Sequence, residues 1–217
     1  MRGRFDGELK EMNRELIEMG ALCERAIAAS AKALEEWDGA LALKAVETEI
    51  EIDRKEREIE GLCLRLLLTQ QPVARDLRQI SAALKMITDL ERIGDQAADI
   101  GEITKQLFPA HGPGDTGKIQ SMAHHAVRMV TDSIDAYVRA DAELARQVIA
   151  ADDQVDALFD QVKSDLCRLI SSGTEGEWAV DLLMIAKYFE RIGDHAANIA
   201  EWVEFSITGV HRGEKAL

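Results

Sequence analysis

Eight carboxylates in this sequence recur as pairs in which two acids stand four residues apart. The pairs are Glu49 and Asp53, Glu91 and Asp95, Asp152 and Asp156, and Glu190 and Asp194. On a helix, residues four apart lie on one face, where like charges repel each other. A lone pair carries little information, because 40 acids in 217 residues give about seven such pairs by chance. The signal is that these pairs recur at matching positions of a duplicated sequence.

The duplication is clearest around the second and fourth pairs. Residues 89–100 read DLERIGDQAADI and residues 188–199 read YFERIGDHAANI, 99 residues further along the chain. Residues 41–53 match residues 144–156 at an offset of 103. Repeats of this length set the architecture of a chain. Each copy also places a glycine inside a helical pattern, at a cost of about 1 kcal/mol relative to alanine, which indicates close helix approach or room for a bound group.

The elements that must position these acids are predicted to be six helices, because apolar residues recur three and four apart and strong helix formers dominate the composition. The helices are predicted over residues 5–36, 40–69, 73–107, 118–138, 141–171 and 177–207. The pattern predicts an all-α protein of two tandem, sequence-related three-helix bundles with antiparallel neighbours. We assign residues 1–109 to the first repeat, 110–117 to a linker, 118–208 to the second repeat and 209–217 to a flexible tail.

The composition excludes several classes of partner. A net charge of −14 argues against a nucleic-acid surface and against electrostatic adhesion to anionic lipid. No apolar run approaches the length of a membrane span, and the N-terminus does not resemble a signal peptide. The three cysteines form no CxxC pair, so we expect buried thiols in a reducing cytosol. These features predict a cytoplasmic protein with no direct membrane insertion.

Four carboxylates that converge between two antiparallel helices require a counter-charge. Arg92 and Arg191 are candidates, and hard cations are another solution, because carboxylate oxygens bind Mg²⁺, Ca²⁺, Mn²⁺ or iron and can bridge two ions. Glu91 and Asp95 continue a line of apparent core positions on the third helix, whereas Arg92 points about 100° away from Glu91. We expect metal to bind here, while ion pairing and a solvated acidic face stay open.

Three further residues stand next to these motifs. Asp99 and Asn198 lie one turn beyond Asp95 and Asp194 and could extend the two sites. His195 follows Asp194 but points about 100° away from it on a helix, so we interpret His195 as a packing residue or a residue behind the site.

Three segments of the chain resemble the PhoU family of phosphate-signalling proteins: residues 71–78 (QPVARDLR), 89–95 (DLERIGD) and 188–201 (YFERIGDHAANIAE). The resemblance covers nearly the whole chain, with both repeats in order. It implies a cytoplasmic regulator rather than a conventional enzyme, one that helps to shut down the phosphate-starvation response when phosphate is plentiful. It also implies action between the phosphate-specific ABC transporter and a membrane sensor histidine kinase, peripheral to the inner face of the membrane. A homodimer stays open.

Some members of that family hold multinuclear metal clusters in Glu/Asp-x-x-x-Asp motifs. The resemblance carries this role over to Glu49, Asp53, Glu91, Asp95, Asp152, Asp156, Glu190 and Asp194. The expected cofactors are iron, zinc, manganese or magnesium ions. In the second copy Asp152 replaces the longer Glu49, and Asn198 replaces Asp99. We therefore expect the first copy to bind metal more tightly.

Two other functions fit parts of the sequence. A carboxylate-bridged di-iron oxidase on a helical bundle would use Glu-x-x-His motifs from two helices, and the sequence contains no such motif. A metal-free helical scaffold would use its acidic stripes only to dock partner proteins. Metal analysis of protein that has never met a chelator or a nickel resin separates this scaffold from a metalloprotein.

Overall fold

The computed structural model describes residues 2–70, 72, 74–107, 115–173, 176–211 and 214–215. In these ranges the helices are α1 (Arg2–Glu36), α2 (Gly39–Gln70), α3 (Arg75–Leu107), α4 (Gly117–Arg139), α5 (Ala142–Ser171) and α6 (Gly176–Thr208). All six predicted helices are present, and the predicted all-α fold is confirmed. Most of the predicted linker, 110–117, lies outside the described residues, and Gly117 is the first residue of α4.

The two repeats have the same internal arrangement and pack on each other through corresponding helices. α3 packs on α1 and α2, and α6 packs on α4 and α5. The contacts between repeats are α3 with α6 and α1 with α4. α2 and α5 therefore lie on the outside, where each shares one groove with the third helix of its own repeat.

The turn between the first and second helices is built in the same way in both repeats. Asp38 accepts a hydrogen bond from the backbone N–H of Ala40 at 2.8 Å at the start of α2. Asp141, the equivalent residue at the offset of 103, accepts from Glu143 and Leu144 at 3.0 Å at the start of α5. Such aspartates satisfy N–H groups that have no partner inside the helix. The shared cap fixes where α2 and α5 begin, so the second helix of each repeat starts at an equivalent residue.

α3 and α6 run antiparallel and are related by a pseudo-twofold axis. Asp89 Oδ1 accepts a hydrogen bond from Asn198 Nδ2 at 3.4 Å. Asp99 accepts a hydrogen bond from the Tyr188 hydroxyl. Asp89 is equivalent to Tyr188 in the 99-residue repeat, and Asp99 is equivalent to Asn198 in the same way. The same two positions therefore meet twice across the interface between the repeats.

The motif glycines allow each third helix to approach the second helix of its own repeat. A Cβ atom at Gly94 would lie 2.9 Å from Cδ1 and 3.2 Å from Cγ2 of Ile52, whose side chain is fully buried. A Cβ atom at Gly193 would lie 3.0 Å from Asp152 Oδ1. Close approach, one of the two roles that the sequence indicates for these glycines, is therefore present in both repeats.

The chain after α6 folds back on it. The sequence predicts a flexible tail from Gly209, but Val210 and His211 pair with Glu214 and Lys215 as two short antiparallel strands. The His211 ring stacks on Trp202 with a centroid distance of 3.9 Å. The remaining tail residues lie outside the described residues.

The sequence predicts that all three cysteines are buried, but one of them is exposed. Cys23 and Cys63 are buried, whereas Cys167 is exposed. The difference arises because Cys167 lies on the solvent side of α5, the outer helix of the second repeat.

Gly94→Ala is expected to lower the free energy of unfolding by about 1–3 kcal/mol, because the new methyl group overlaps Ile52 in a packed groove. The matched control is Gly61→Ala in α2, where the nearest atom to a new Cβ lies 3.7 Å away. That change should raise the free energy of unfolding by about 0.5–1 kcal/mol through helix propensity. Urea unfolding of both variants measures the difference. If both substitutions stabilise the protein equally, the close approach at Gly94 is wrong.

Candidate metal-binding acidic clusters

The first acidic cluster comprises Glu49 and Asp53 of α2 with Glu91 and Asp95 of α3. Burial raises the pKa of Glu49 above its ordinary value, and the neighbouring charges of Asp53 and Asp95 raise it further. Burial and then Asp95 raise the pKa of Glu91, to which Asp53 also contributes. The predicted convergence of the two pairs across antiparallel helices is therefore present in the first repeat.

Glu91 and Asp95 do not lie in the core, in contrast to the sequence analysis. Their side chains are 21% and 31% exposed. The sequence pattern places them on a line of core positions, but α2 also packs on α3, and both carboxylates lie on the side that meets α2. The acids are therefore partly desolvated and accessible.

Two arginines provide counter-charges for the first acidic cluster. Arg57 Nη2 lies 3.2 Å from Asp53 Oδ2. Arg92 lies 3.5 Å from Glu91 and 3.4 Å from Asp95. The helical angle predicts that Arg92 is a poor partner for Glu91. This prediction is wrong, because the long arginine side chain reaches back across the angle that separates the two Cα positions.

The second acidic cluster comprises Asp152 and Asp156 of α5 with Glu190 and Asp194 of α6. Burial raises the pKa of Asp152 to about 7, with Asp194 and Asp156 as the next causes. Burial and Glu190 also raise the pKa of Asp194. Asp152 Oδ1 is buried and has no hydrogen-bond partner. An unpaired buried carboxylate oxygen is costly, so this atom is a position where a bound cation would stabilise the fold.

The counter-charges of the second acidic cluster are arranged differently. Lys187 Nζ lies 2.6 Å from Glu190 Oε1. Arg191 is equivalent to Arg92, but in the described residues it makes no ion pair with the second acidic cluster and its charge acts on Asp99 of the other repeat. Among the described residues, no arginine lies within ion-pair distance of Asp152 or Asp156 as Arg57 does for Asp53 in the first repeat.

A cleft of about 440 Å³ opens beside the second acidic cluster. Its lining includes Asp152, Asp194, His195, Arg191 and Asn198. His195 Nδ1 lies 2.9 Å from Asp89 Oδ1, so the imidazole connects the wall of this cleft to the first repeat. The cleft gives solvent and small ions access to the second acidic cluster.

The residues that the sequence offered as extensions of the sites connect the two repeats. Asn198 and His195 both contact Asp89, and Asp99 accepts from Tyr188. Sequence reasoning did not find Asp89 or Tyr188, although these two residues stand at equivalent positions two places before the motif Glu in each copy. That equivalence is the signal that could have identified them.

The donor set suits a metal ion, but its side chains are not set for coordination. Among the described residues, no group of three or more His, Cys, Asp or Glu side chains is arranged to hold a metal ion. The four carboxylates of each acidic cluster converge from two helices, and Asp152 Oδ1 lacks a hydrogen-bond partner. Carboxylates of this kind fit hard cations once they rotate toward a common centre.

Comparison with known proteins identifies the family. The sequence model of the PhoU domain matches the chain twice, over residues 16–104 and 119–203. The chain belongs to the PhoU family. It is 36% identical over 207 residues to a phosphate-specific transport system accessory protein PhoU homolog of Clostridium acetobutylicum, covering 94% of each chain. A homolog with the same name from Synechocystis sp. is 37% identical, with 96% of this chain and 93% of the relative covered.

Solved structures of PhoU proteins have the same fold. PhoU from Pseudomonas aeruginosa matches with a TM-score of 0.90 at 32% identity, over 95% of this chain and 100% of that chain. The phosphate transport system regulatory protein PhoU from Streptococcus pneumoniae matches with a TM-score of 0.88 at 26% identity. Both comparisons extend over 95% of this PhoU-family chain. Among the described residues, none of the helices combines the length and apolar character that crossing a membrane requires.

Asp152→Asn is expected to stabilise the metal-free protein at pH 8 by about 2 kcal/mol. The pKa of Asp152 in the folded protein, about 7, lies above its ordinary 3.8. This group therefore favours the folded state at low pH and loses that contribution as the pH rises through 7. The gain from the amide should be large at pH 8 and small at pH 5, measured by thermal unfolding with a chelator.

The control for this measurement is Asp153→Asn, which removes the exposed carboxylate next to Asp152 in sequence. It should change the stability much less at either pH. An equal gain from both substitutions would mean that net charge, and not the buried oxygen of Asp152, limits stability.

Proposed function

We propose that this chain is a regulatory accessory protein of phosphate-specific transport and a negative regulator of the phosphate-starvation response. In this role it is an adaptor between the phosphate ABC transporter and a membrane sensor histidine kinase. It works in the cytoplasm, and its partners hold it at the inner face of the membrane. It acts by binding other proteins and not by catalysing a reaction.

The observation that carries this proposal is the match to accessory proteins over 94% of both chains. Because both repeats fall within the matched ranges, the similarity supports a shared role for the whole aligned region. The net charge of −14 also suits a protein-binding role better than contact with nucleic acid or anionic lipid.

The experiment for this role is deletion of the protein's gene in its own cell. We expect a reporter of a phosphate-starvation gene to stay active in phosphate-rich medium, because the signal from the transporter no longer reaches the kinase. Restoring the wild-type gene should silence the reporter. A reporter that stays repressed in a deletion strain without a redundant paralogue would contradict the role.

We also propose that the two acidic clusters bind metal ions, with iron, zinc, manganese or magnesium as the candidates. Each acidic cluster offers four carboxylates from two helices, enough to bridge more than one ion. A bound cation would offset the burial and the repulsion between neighbouring acids that together raise the pKa values of Glu49, Glu91 and Asp152. When bound, the metal supplies positive charge that locks α2 to α3, or α5 to α6.

The arrangement of counter-charges favours the second acidic cluster as the site that fills first. The shorter Asp152 and the neutral Asn198 led the sequence analysis to favour the first. Arg57 and Arg92, however, already pair with Asp53, Glu91 and Asp95 and offset part of the charge of the first acidic cluster, so a metal would have to displace them. In the second, Asp152 Oδ1 has no partner to give up.

Thermal unfolding of chelator-stripped protein with each metal tests this order. Bound metal raises stability by mass action, by about 2.7 kcal/mol at 100 times the dissociation constant. The matched variants are Glu91→Gln/Asp95→Asn and Glu190→Gln/Asp194→Asn, which neutralise the same positions of the two repeats. At the lowest effective metal concentration, the first variant should still be stabilised and the second should not. The reverse result would restore the order expected from the sequence.

A metal-free docking scaffold is the second candidate, and the ion pairs of Arg57, Arg92 and Lys187 favour it. In that case the acidic clusters would be satisfied by protein cations, and partner proteins would bind their exposed faces. No metal would then shift the unfolding of the wild-type protein. Both neutralised variants would likewise show no metal-dependent shift in their unfolding.

A further inference from the structure

The second repeat has an apolar pocket at the end where α4 and α6 begin and α5 ends. The cavity has a volume of about 430 Å³. Its apolar walls are Ile119, Val162, Leu166, Leu169, Trp178 and Leu182. Lys118 and Asp165 stand at the rim as an ion pair of 2.5 Å. None of these residues belongs to either acidic cluster, so the pocket is a separate feature of the surface.

In the first repeat the chain itself fills the equivalent place. Cys63 and Gln79 correspond to Leu166 and Trp178 of the pocket at the offsets of 103 and 99. Met12 of α1 is fully buried there, with its Sδ 3.5 Å from Cys63 Sγ. Asn13 Oδ1 accepts a hydrogen bond from Gln79 Nε2 at 3.4 Å. One end of α1 thus covers this position of the first repeat with both apolar and polar contacts.

Helix α4 lacks the turns that make these contacts in α1. α1 has 35 residues and α4 has 23, and the two helices end at equivalent residues, Glu36 and Arg139. Helix α4 is therefore twelve residues shorter than α1 at its N-terminal end, before Gly117. The additional section of α1 carries three inward apolar side chains at i, i+4 and i+7, namely Phe5, Leu9 and Met12. Where Met12 is buried, the second repeat has the exposed Asp115 instead.

Trp178 keeps an unused hydrogen-bond donor at this place. Its side chain is only 7% exposed, and its indole Nε1 is buried without a partner. The equivalent residue in the first repeat, Gln79, donates a hydrogen bond to Asn13, which lies in the section of α1 that has no counterpart in α4. A buried donor without an acceptor is destabilising, and an incoming acceptor removes that cost. The pocket therefore lacks both apolar contact and one hydrogen-bond acceptor.

We propose that this pocket docks an amphipathic helix of a partner protein in place of the missing turns of α4. The helix carries large apolar side chains at i, i+4 and i+7, followed at once by a side chain that accepts a hydrogen bond from Trp178. This chemistry follows from the section of α1 that fills the equivalent place in the first repeat. Recognition of one apolar helix face in a groove is a common mode of peptide binding.

The probe for the test is a synthetic peptide with the sequence of residues 2–13, which contains Phe5, Leu9, Met12 and Asn13. A lactam bridge between the exposed Asp6 and Lys10 side chains, four residues apart, holds it helical, since so short a helix is marginal in water. The readout is the indole N–H resonance of Trp178 in the full chain. We expect the peptide to move this resonance downfield, with the resonances of Trp37 and Trp202 unchanged.

Variants of the pocket decide the outcome. Leu169→Glu should weaken the peptide by about tenfold or more, and the milder Leu169→Ala should weaken it less. The matched control Ile170→Glu, at an exposed neighbour, should leave the affinity within about twofold. A peptide with Phe5→Ala and Met12→Ala should not bind. The resonances of Trp37 and Trp202 report whether each variant is folded.

Three results would overturn the proposal. The first is a Trp178 resonance that does not respond to the peptide. The second is binding that survives both substitutions of Leu169. The third concerns Phe108, which aligns with Phe5 at the offset of 103. If Phe108→Ala moves the Trp178 resonance without any peptide, the chain's own segment is the occupant and no partner helix is needed.

Discussion

The packing of α3 against α6 is the interaction on which the rest of the structure depends. Each of these helices packs on three others, and its acidic-cluster carboxylates lie on the side that meets α2 or α5. The antiparallel contact brings the same two repeat positions together twice, as Asp89 with Asn198 and as Tyr188 with Asp99. The core thus fixes the backbone positions of both acidic clusters, and apolar burial offsets the repulsion between their charges.

Equal folds do not give the two acidic clusters equal electrostatics. In the first repeat, arginine side chains from α2 and α3 lie over the carboxylates. In the second, the equivalent of Arg92 acts on the opposite repeat, and one aspartate oxygen stays buried without a partner. The difference comes from a few long side chains and not from the backbone. Duplication therefore preserved the scaffold while the local charge balance changed.

The fold could be predicted from the sequence because its causes are local. Helical spacing of apolar residues and the two repeat offsets locate all six helices, and the acids on neighbouring antiparallel helices converge as expected. Contacts between the repeats could not be predicted. The bond between His195 and Asp89 depends on the register of α6 against α3, which no periodicity within one helix determines. The reach of Arg92 was missed because helical angles place Cα atoms and not the ends of long side chains.

The unequal lengths of α1 and α4 have a consequence for stoichiometry. A perfectly duplicated protein would present every surface twice, so it would be bivalent toward any partner and could link partners into open chains. Here one end of the first repeat is closed by its own helix, while the matching end of the second is not. The two ends of the molecule consequently differ, although the repeats are related by pseudosymmetry. Because the described residues form this pocket once, assembly there is limited to one partner for each copy.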